Sequence, residues 1–334
     1  MKKDFAYHLT YFLVEYLPKR VGVSQNTIKA YRDVFSLLLH YISEEKGTSV
    51  AKITTKTLTA ELITEFLLWL EQERGCSVST RNQRLAAIQS FFKYLQLEGN
   101  LDELMEYQRV LGLPMKKAEK KTFNYFSPDG IKKLLEQPNT KTRNGRRDLV
   151  LLSVLYDTGA RVQELVDLNI GDVRFTEPPT IRLVGKGNKA RIVPIMGTTK
   201  SNLKMYLDEL GNLPSEMPLF TNNSGKRLTR NGITYILDKY AEQARFGNES
   251  DVPRFVSPHV IRHSKAMHLL QAGVNLVYIR DLLGHVSVTT TEVYARADGK
   301  MKREALMKAS AETADELAPW KQDADLMSWL KTLG

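Results

Sequence analysis

Along most of the chain apolar residues recur every three or four positions, and over one short stretch every two. Residues 5–17 are apolar enough for a first helix. From Ser24, the positions Ile28, Tyr31, Phe35, Leu38, Leu39 and Ile42 line one helical face, and Gly47 supplies a stop. Residues 60–74 predict a third helix. A fourth starts at Ser79, with Leu85, Ile88, Phe92 and Leu95 inward. Its first turns carry Thr80, Arg81, Asn82 and Arg84, read as an outward polar face that can enter a DNA groove or hold phosphates. Residues 1–112 thus form a small all-helical domain. The stretch 113–126 has no apolar period, and it holds Pro114, Lys116, Lys117, Lys120 and Lys121. It reads as a basic linker.

The second half opens on Ser127-Pro128, a capping hydroxyl followed by proline at the first helical position, ahead of a helix over 128–136. After the basic run KTRNGRR comes an apolar helix, DLVLLSVLYDTG, ending at Gly159. Arg161 opens the next helix, with Glu164 one turn later on the same side. In TIRLVGKGNKARIVPI (180–195) the period changes to two. Two short strands flank a GKGNKA turn, which puts Lys186 and Lys189 at a hairpin tip. Helices over 200–210 and 229–244 follow. Ser257-Pro258 then repeats the cap-and-proline start. His259 and Arg262 lie three apart beyond it, on one face near the positive helix end, where a phosphate is well placed. Gly273 and Gly284 fit two helix stops, His285 follows at once, and Tyr294 comes nine residues later. The fold class is mainly α with a small β component: the helical domain, then a mixed α/β domain over 127–334.

Composition narrows the class. A length of 334 residues suits two domains with their own cores, and 42% hydrophobic with 26% charged residues describes a globular chain. Apolar runs such as LLSVLY fall far short of the ~20 residues a membrane helix needs. Asp4 and Glu15 interrupt anything resembling a signal peptide. The single cysteine, Cys76, excludes an intramolecular disulfide framework and fits a reducing compartment, so a cytoplasmic, nucleoid-associated protein is expected. One cysteine and six scattered histidines argue against structural zinc. The net charge of +10 suggests a polyanionic partner. Residues 1–112 hold 14 basic and 13 acidic side chains, whereas residues 113–147 hold 10 and 3. Positive charge is concentrated where a hinge between domains would lie.

Arg161, Lys186, His259, Arg262, His285 and Tyr294 make a coherent chemical set. Two arginines can present bidentate forks to one phosphate, the main catalytic need where charge spreads over phosphoryl oxygens. A tyrosine hydroxyl is a covalent nucleophile once its proton is removed. A lysine can protonate a leaving alkoxide, and histidines donate, accept or orient. No carboxylate cluster or GxxxxGK[ST] loop points to a metal or a nucleotide. The chemistry implied is transesterification at a phosphodiester without metal or cofactor. Each residue alone has a bland reading: Arg161 with Glu164 as an ion pair, Lys186 as a solvated turn lysine, His285 as a helix cap.

Jointly, TGARVQEL, the GKGNKxRxVP hairpin, HxxRH, LGH and a tyrosine nine residues later resemble the tyrosine recombinase (phage integrase) family, closest to its Xer-like branch. The resemblance implies that Arg161 and Arg262 hold the scissile phosphate and that Lys186, more than Lys189, is the general acid. It implies that His259 assists proton transfer, His285 contacts the phosphate, Glu164 supports Arg161, and Tyr294 forms a 3′-phosphotyrosyl link. It further implies a SAM-like core-binding domain and a catalytic domain closing as a C-shaped clamp on double-stranded DNA. Four protomers would pair two recombination sites and pass through a Holliday junction, with or without an accessory protein. The tail around Trp320, Met327 and Leu330 either docks on a neighbouring protomer or covers its own chain. Two rivals are a type IB topoisomerase-like nicking-closing enzyme, which exchanges no partners, and a non-catalytic DNA-binding regulator, which has no use for Tyr294.

Overall fold

The computed structural model describes residues 4–118, 124–247, 251–285, 287, 291 and 328, with Lys186 described by its backbone alone. The chain divides into two compact units, Met1–Lys121 and Thr122–Gly334.

The first unit is helical. Helix α1 (Phe5–Tyr11) continues as a π-helical segment over Phe12–Val21, which contains Pro18 and ends at the left-handed Gly22. Proline brings no N–H, so the regular bond to the carbonyl four residues back is lost within this stretch. Helices α2 (Gln25–Glu44), α3 (Ala60–Gln72), α4 (Val78–Glu98) and α5 (Leu104–Leu111) complete the unit. Ser24, Thr59 and Ser77 cap the starts of α2, α3 and α4 through their hydroxyls. The core is aromatic: Phe12, Phe35, Phe66, Phe91, Phe92 and Tyr94 are all 1% exposed or less. Sequence periodicity misses α5. Its Glu106 carboxylate accepts from the Ala60 backbone N–H at 2.6 Å, satisfying a free donor at the start of α3.

The expected outward face of α4 needs correction. Arg81 stands four and seven residues before Leu85 and Ile88, so it lies on their inward stripe and is buried. Its guanidinium donates to the Pro114 carbonyl at 3.0 Å and to Asn82 Oδ1 at 3.1 Å. Asn82 exchanges bonds with the Lys116 backbone at 2.7 and 3.1 Å, and Arg84 donates to Cys76 Sγ. Thr80 is half-buried beside its cap partner Ser77. Gln89 reaches the carbonyls of Leu111 and Leu113 at 3.0 and 3.1 Å. These polar side chains fasten residues 111–116 to α4, which is why the first unit runs past residue 113.

In the second unit the Phe126 backbone N–H donates to Ser264 Oγ at 2.9 Å. The Phe126 carbonyl can only accept, so His268 Nε2 donates to it at 2.8 Å, and His268 Nδ1 accepts from the Tyr156 hydroxyl at 2.9 Å. Helix α6 (Pro128–Glu136) is capped by Ser127. Helix α7 (Arg143–Thr158) takes in part of the basic KTRNGRR run because Thr142 caps it early, and it ends at the left-handed Gly159. Helix α8 (Val162–Asp167) leads to a three-stranded antiparallel sheet in the order β1 (Val173–Arg174), β2 (Thr180–Val184), β3 (Ala190–Pro194). Strands β2 and β3 pair from Thr180↔Pro194 to Val184↔Ala190. Ile181, Leu183 and Val193 face the core, and the turn between the strands uses positive φ at Gly187 and Asn188. Helices α9 (Gly197–Leu210), α10 (Arg230–Arg245), α11 (Pro258–Gln271) and α12 (Leu276–Leu283) follow. Central α7 packs Leu151, Leu152, Val154 and Leu155 into this core. Among the described residues no helix is long and apolar enough to cross a membrane, and no group of three His, Cys, Asp or Glu side chains could hold a metal.

Candidate active site

Four helix ends and the β2–β3 hairpin meet in the second unit. Arg161 occupies the N-cap position of α8, and its backbone N–H donates to Glu164 Oε2 at 2.8 Å. The Arg161 guanidinium donates through Nη1 to Glu164 Oε1 at 2.8 Å and through Nη2 to the Gly284 carbonyl at 3.1 Å. Arg262, in the second turn of α11 and 3% exposed, donates to the Gly159 carbonyl at 2.7 Å and the Leu283 carbonyl at 2.6 Å. Arg191 on β3 donates through Nε to the Leu282 carbonyl at 2.8 Å. Three arginines therefore take three consecutive carbonyls at the C-terminal end of α12. That end bears partial negative charge and leaves its last carbonyls without partners in the helix, so it is a natural seat for cations.

The turn geometry makes this approach possible. Gly159 ends α7 at φ 55° and Gly284 ends α12 at φ 64°. A Cβ on Gly284 would lie 3.0 Å from Arg191 Nη1, and one on Gly159 would lie 2.7 Å from Leu283 Cδ2. Glu164 is buried, and it also accepts from Arg191 Nη1 and Nη2 at 2.9 and 2.8 Å. Burial pushes its carboxyl up. The Arg191 bonds, the Arg161 backbone N–H, the Arg191 charge and the Arg161 side-chain bond more than reverse this and hold it below the usual carboxylate range.

The histidines sit at the positive rim. His259 is the second residue of α11 and is exposed; partial desolvation, then Arg262 and Arg161, lower its pKa. His263 lies one turn on, with ring centroids 6.4 Å apart, and burial with His259 and Arg262 pushes it down to about 4. His285 follows Gly284, and its Nδ1 lies 3.0 Å from Thr291 Oγ1. Burial first, then Arg262 and Arg161, push His285 down to about 4 as well. At neutral pH these rings are uncharged, able to donate from one nitrogen and accept at the other. The arginines outnumber Glu164, so the site carries net positive charge and suits an anion.

The fold thus brings Arg161, Glu164, His259, Arg262 and His285 together. Lys186 stands by its backbone in the turn between β2 and β3, with Lys189 exposed at its end. Tyr294 lies outside the described residues, as do Lys120 and Lys121 and most of the tail; Lys117 is exposed, and Lys116 Nζ bonds Glu71 at 2.7 Å. Sequence reasoning gave no role to Arg191 or His263. For Arg191 a signal was present: it precedes inward-facing Val193 by two on a strand, and a charge on the inward face demands a buried partner.

Residues 124–301 match the model of the phage integrase family, and residues 12–99 match that of the phage integrase N-terminal SAM-like domain. The chain is 34% identical over 322 residues to a putative integrase/recombinase, y4rC, of Sinorhizobium fredii, covering 96% of each. It is 36% identical over 304 residues to the tyrosine recombinase XerC of Herpetosiphon aurantiacus, covering 88% of this chain and 90% of that one. The solved XerH site-specific recombinase bound to a palindromic difH substrate shares the fold. Its TM-score is 0.67 at 23% identity, over 84% of this chain and 78% of that one. A convergent arginine site on this helical scaffold, a match over more than half the chain and relatives above 30% identity along most of its length agree: the chain belongs to the phage integrase family and is a tyrosine recombinase.

Proposed function

We propose that this recombinase cuts and rejoins duplex DNA at a specific site through a covalent link between Tyr294 and a 3′ phosphate. Arg161 and Arg262 hold the non-bridging oxygens of the scissile phosphate and stabilise the charge that grows on them. The Tyr294 oxygen attacks phosphorus as the bond to the 5′ oxygen breaks. The phenolic proton passes to His259, and Lys186 protonates the departing 5′ oxygen. His285 donates to the phosphate, and Glu164 orients Arg161. A second DNA end reverses the steps, so the phosphotyrosine conserves the bond and no ATP is needed. A tetramer on two paired sites, proceeding through a Holliday junction, completes the exchange, with or without an accessory protein. In the first unit and the linker, Thr80, Arg84, Lys116, Lys117, Lys120 and Lys121 contact the DNA backbone, and Arg81 and Asn82 shape the surface that presents them.

The observation that carries this reading is the convergence of Arg161 and Arg262, from two different helices, on adjacent carbonyls at the end of α12. Those bonds fix the direction of both guanidiniums within the protein. The test is covalent capture. Nicked duplexes with a randomised central block are incubated with wild-type protein or Tyr294→Phe, and denaturation-resistant adducts are recovered and sequenced. Wild type should yield adducts on a discrete sequence set, and Tyr294→Phe should yield none while binding the same duplexes within about threefold. Adducts without sequence preference would favour the nicking-closing enzyme, and binding without any adduct would favour the regulator.

A further inference from the structure

Arg191 stands apart from the other two arginines. Its side chain is 12% exposed, against 34% for Arg161, and each of its three guanidinium nitrogens donates to protein. Two of them grip both oxygens of Glu164, and a bidentate fork of this kind fixes the plane of a carboxylate where a single bond would let it swing. With that plane fixed, Oε1 meets the Arg161 guanidinium and Oε2 meets the Arg161 backbone N–H. The third nitrogen ties β3 to Leu282, the residue before the two carbonyls that receive Arg262 and Arg161. Arg191 is also paired to β2 through the Leu183↔Arg191 register, a few residues from the turn that holds Lys186.

Resting on the phosphate-binding reading above, we propose that Arg191 is a positioning residue. It locks Glu164 and the end of α12 into the frame that aims Arg161 and Arg262, and it fastens the Lys186 hairpin to that frame. Arg191 itself does not touch DNA. Its loss should therefore slow the chemical step far more than it weakens binding.

The experiment compares wild type, Arg191→Lys, Arg191→Leu and the double variant Arg191→Leu/Glu164→Leu. Adduct formation is measured in single turnover at saturating duplex, affinity by titration of the same captured duplex, and Tm in parallel. Arg191→Leu should lose about thirtyfold or more in rate while affinity stays within about threefold, and Arg191→Lys should regain less than about tenfold because an ammonium cannot form the fork. Arg191→Leu leaves the buried Glu164 carboxylate with only its two Arg161 donors, so the double variant should recover Tm without recovering rate. A rate that returns together with Tm, or a rate and an affinity that fall by the same factor, would overturn the proposal. Should wild type form no adduct, the phosphoryl-transfer reading falls, and amide hydrogen exchange still judges Arg191. Arg191→Leu should speed exchange across residues 184–190 and 283–285 by about tenfold or more and leave 150–158 unchanged. Unchanged exchange at the hairpin and the α12 end would refute the positioning role.

Discussion

His263 and His285 are neutral because they are half-buried among guanidiniums, and that has a consequence for stability. Each has its folded pKa pushed down to about 4, burial being the first cause for both. In the unfolded chain each titrates near the ordinary histidine value of about 6.5. The unfolded state therefore binds more protons across the interval between these values, and stability rises with pH there. Above pH ~6.5 neither histidine costs anything. As pH falls towards 4 both erode stability, and below 4 the loss is complete. Glu164 adds a second acid-side loss, since its depressed carboxyl contributes fully above the ordinary glutamate range and fails only as pH drops through its lower folded value. The Tm of wild type should therefore decline from pH 6.5 to 4.5. His263→Asn, which keeps a neutral polar group, should flatten that decline while moving Tm little at pH 7.5. A parallel decline in the variant would show that His263 takes up its proton as readily in the folded protein as in the unfolded chain. The same arithmetic explains why arginines rather than lysines face these rings, since a guanidinium keeps its charge in a site that desolvates it.

The elements were legible in the sequence wherever the deciding chemistry is local. Ser24, Ser127 and Ser257 each cap a helix start through a hydroxyl bonded three residues on, and Gly159 and Gly284 end helices at positive φ. The residues that specify such ends are neighbours in the chain, so a reader of the chain can see them. The inward setting of Arg81, the grip of Arg191 and the helix over Leu104–Leu111 depend on groups 33, 27 and 46 positions away. Partners at that range leave no local trace beyond a charged residue in register with an apolar stripe. Strand β1 is two residues long, too short for any alternation to show. A prediction follows for the end of α12. Gly273 and Gly284 both end helices at positive φ, 80° and 64°, but a Cβ on Gly273 meets nothing within 4 Å, whereas on Gly284 it meets Arg191. Alanine at either position should cost about 1–2 kcal/mol in left-handed strain, a Tm loss of about 2–6 °C for a unit of this size. Gly284→Ala should in addition slow adduct formation by about tenfold or more, because Arg191 is pinned by Glu164 and cannot yield without disturbing it. Equal effects of the two substitutions, read by calorimetry and single-turnover cleavage, would show that the close approach at Gly284 has no bearing on the site.

At the scale of the whole molecule, the apolar core of the first unit is drawn from residues between Phe5 and Leu113, while those of the second start at Tyr125. Among the described residues no core residue is shared, so fragments 1–121 and 122–334 should each fold alone and melt cooperatively. What then distinguishes the full chain is the basic charge that gathers along the sequence around the junction of the two units. The first 112 residues are nearly balanced, whereas the excess of basic side chains gathers in residues 113–147. Binding driven by phosphate neutralisation releases counterions, and log K falls with log salt by about 0.9 for each phosphate contacted on duplex DNA. Lys116 is already paired with Glu71, so it has less counterion to release than its neighbours. Replacing Lys117, Lys120 and Lys121 together with glutamine should therefore shrink the salt slope by about 2 to 3, whereas Lys116→Gln alone should shrink it by well under 1. Sequence preference in the captured adducts should survive both changes, because phosphate contacts position a protein on duplex DNA and base contacts select the site. Titration of one captured duplex at several salt concentrations decides the matter. An unchanged slope in the triple variant would move the DNA-binding charge out of the linker and onto the two folded units.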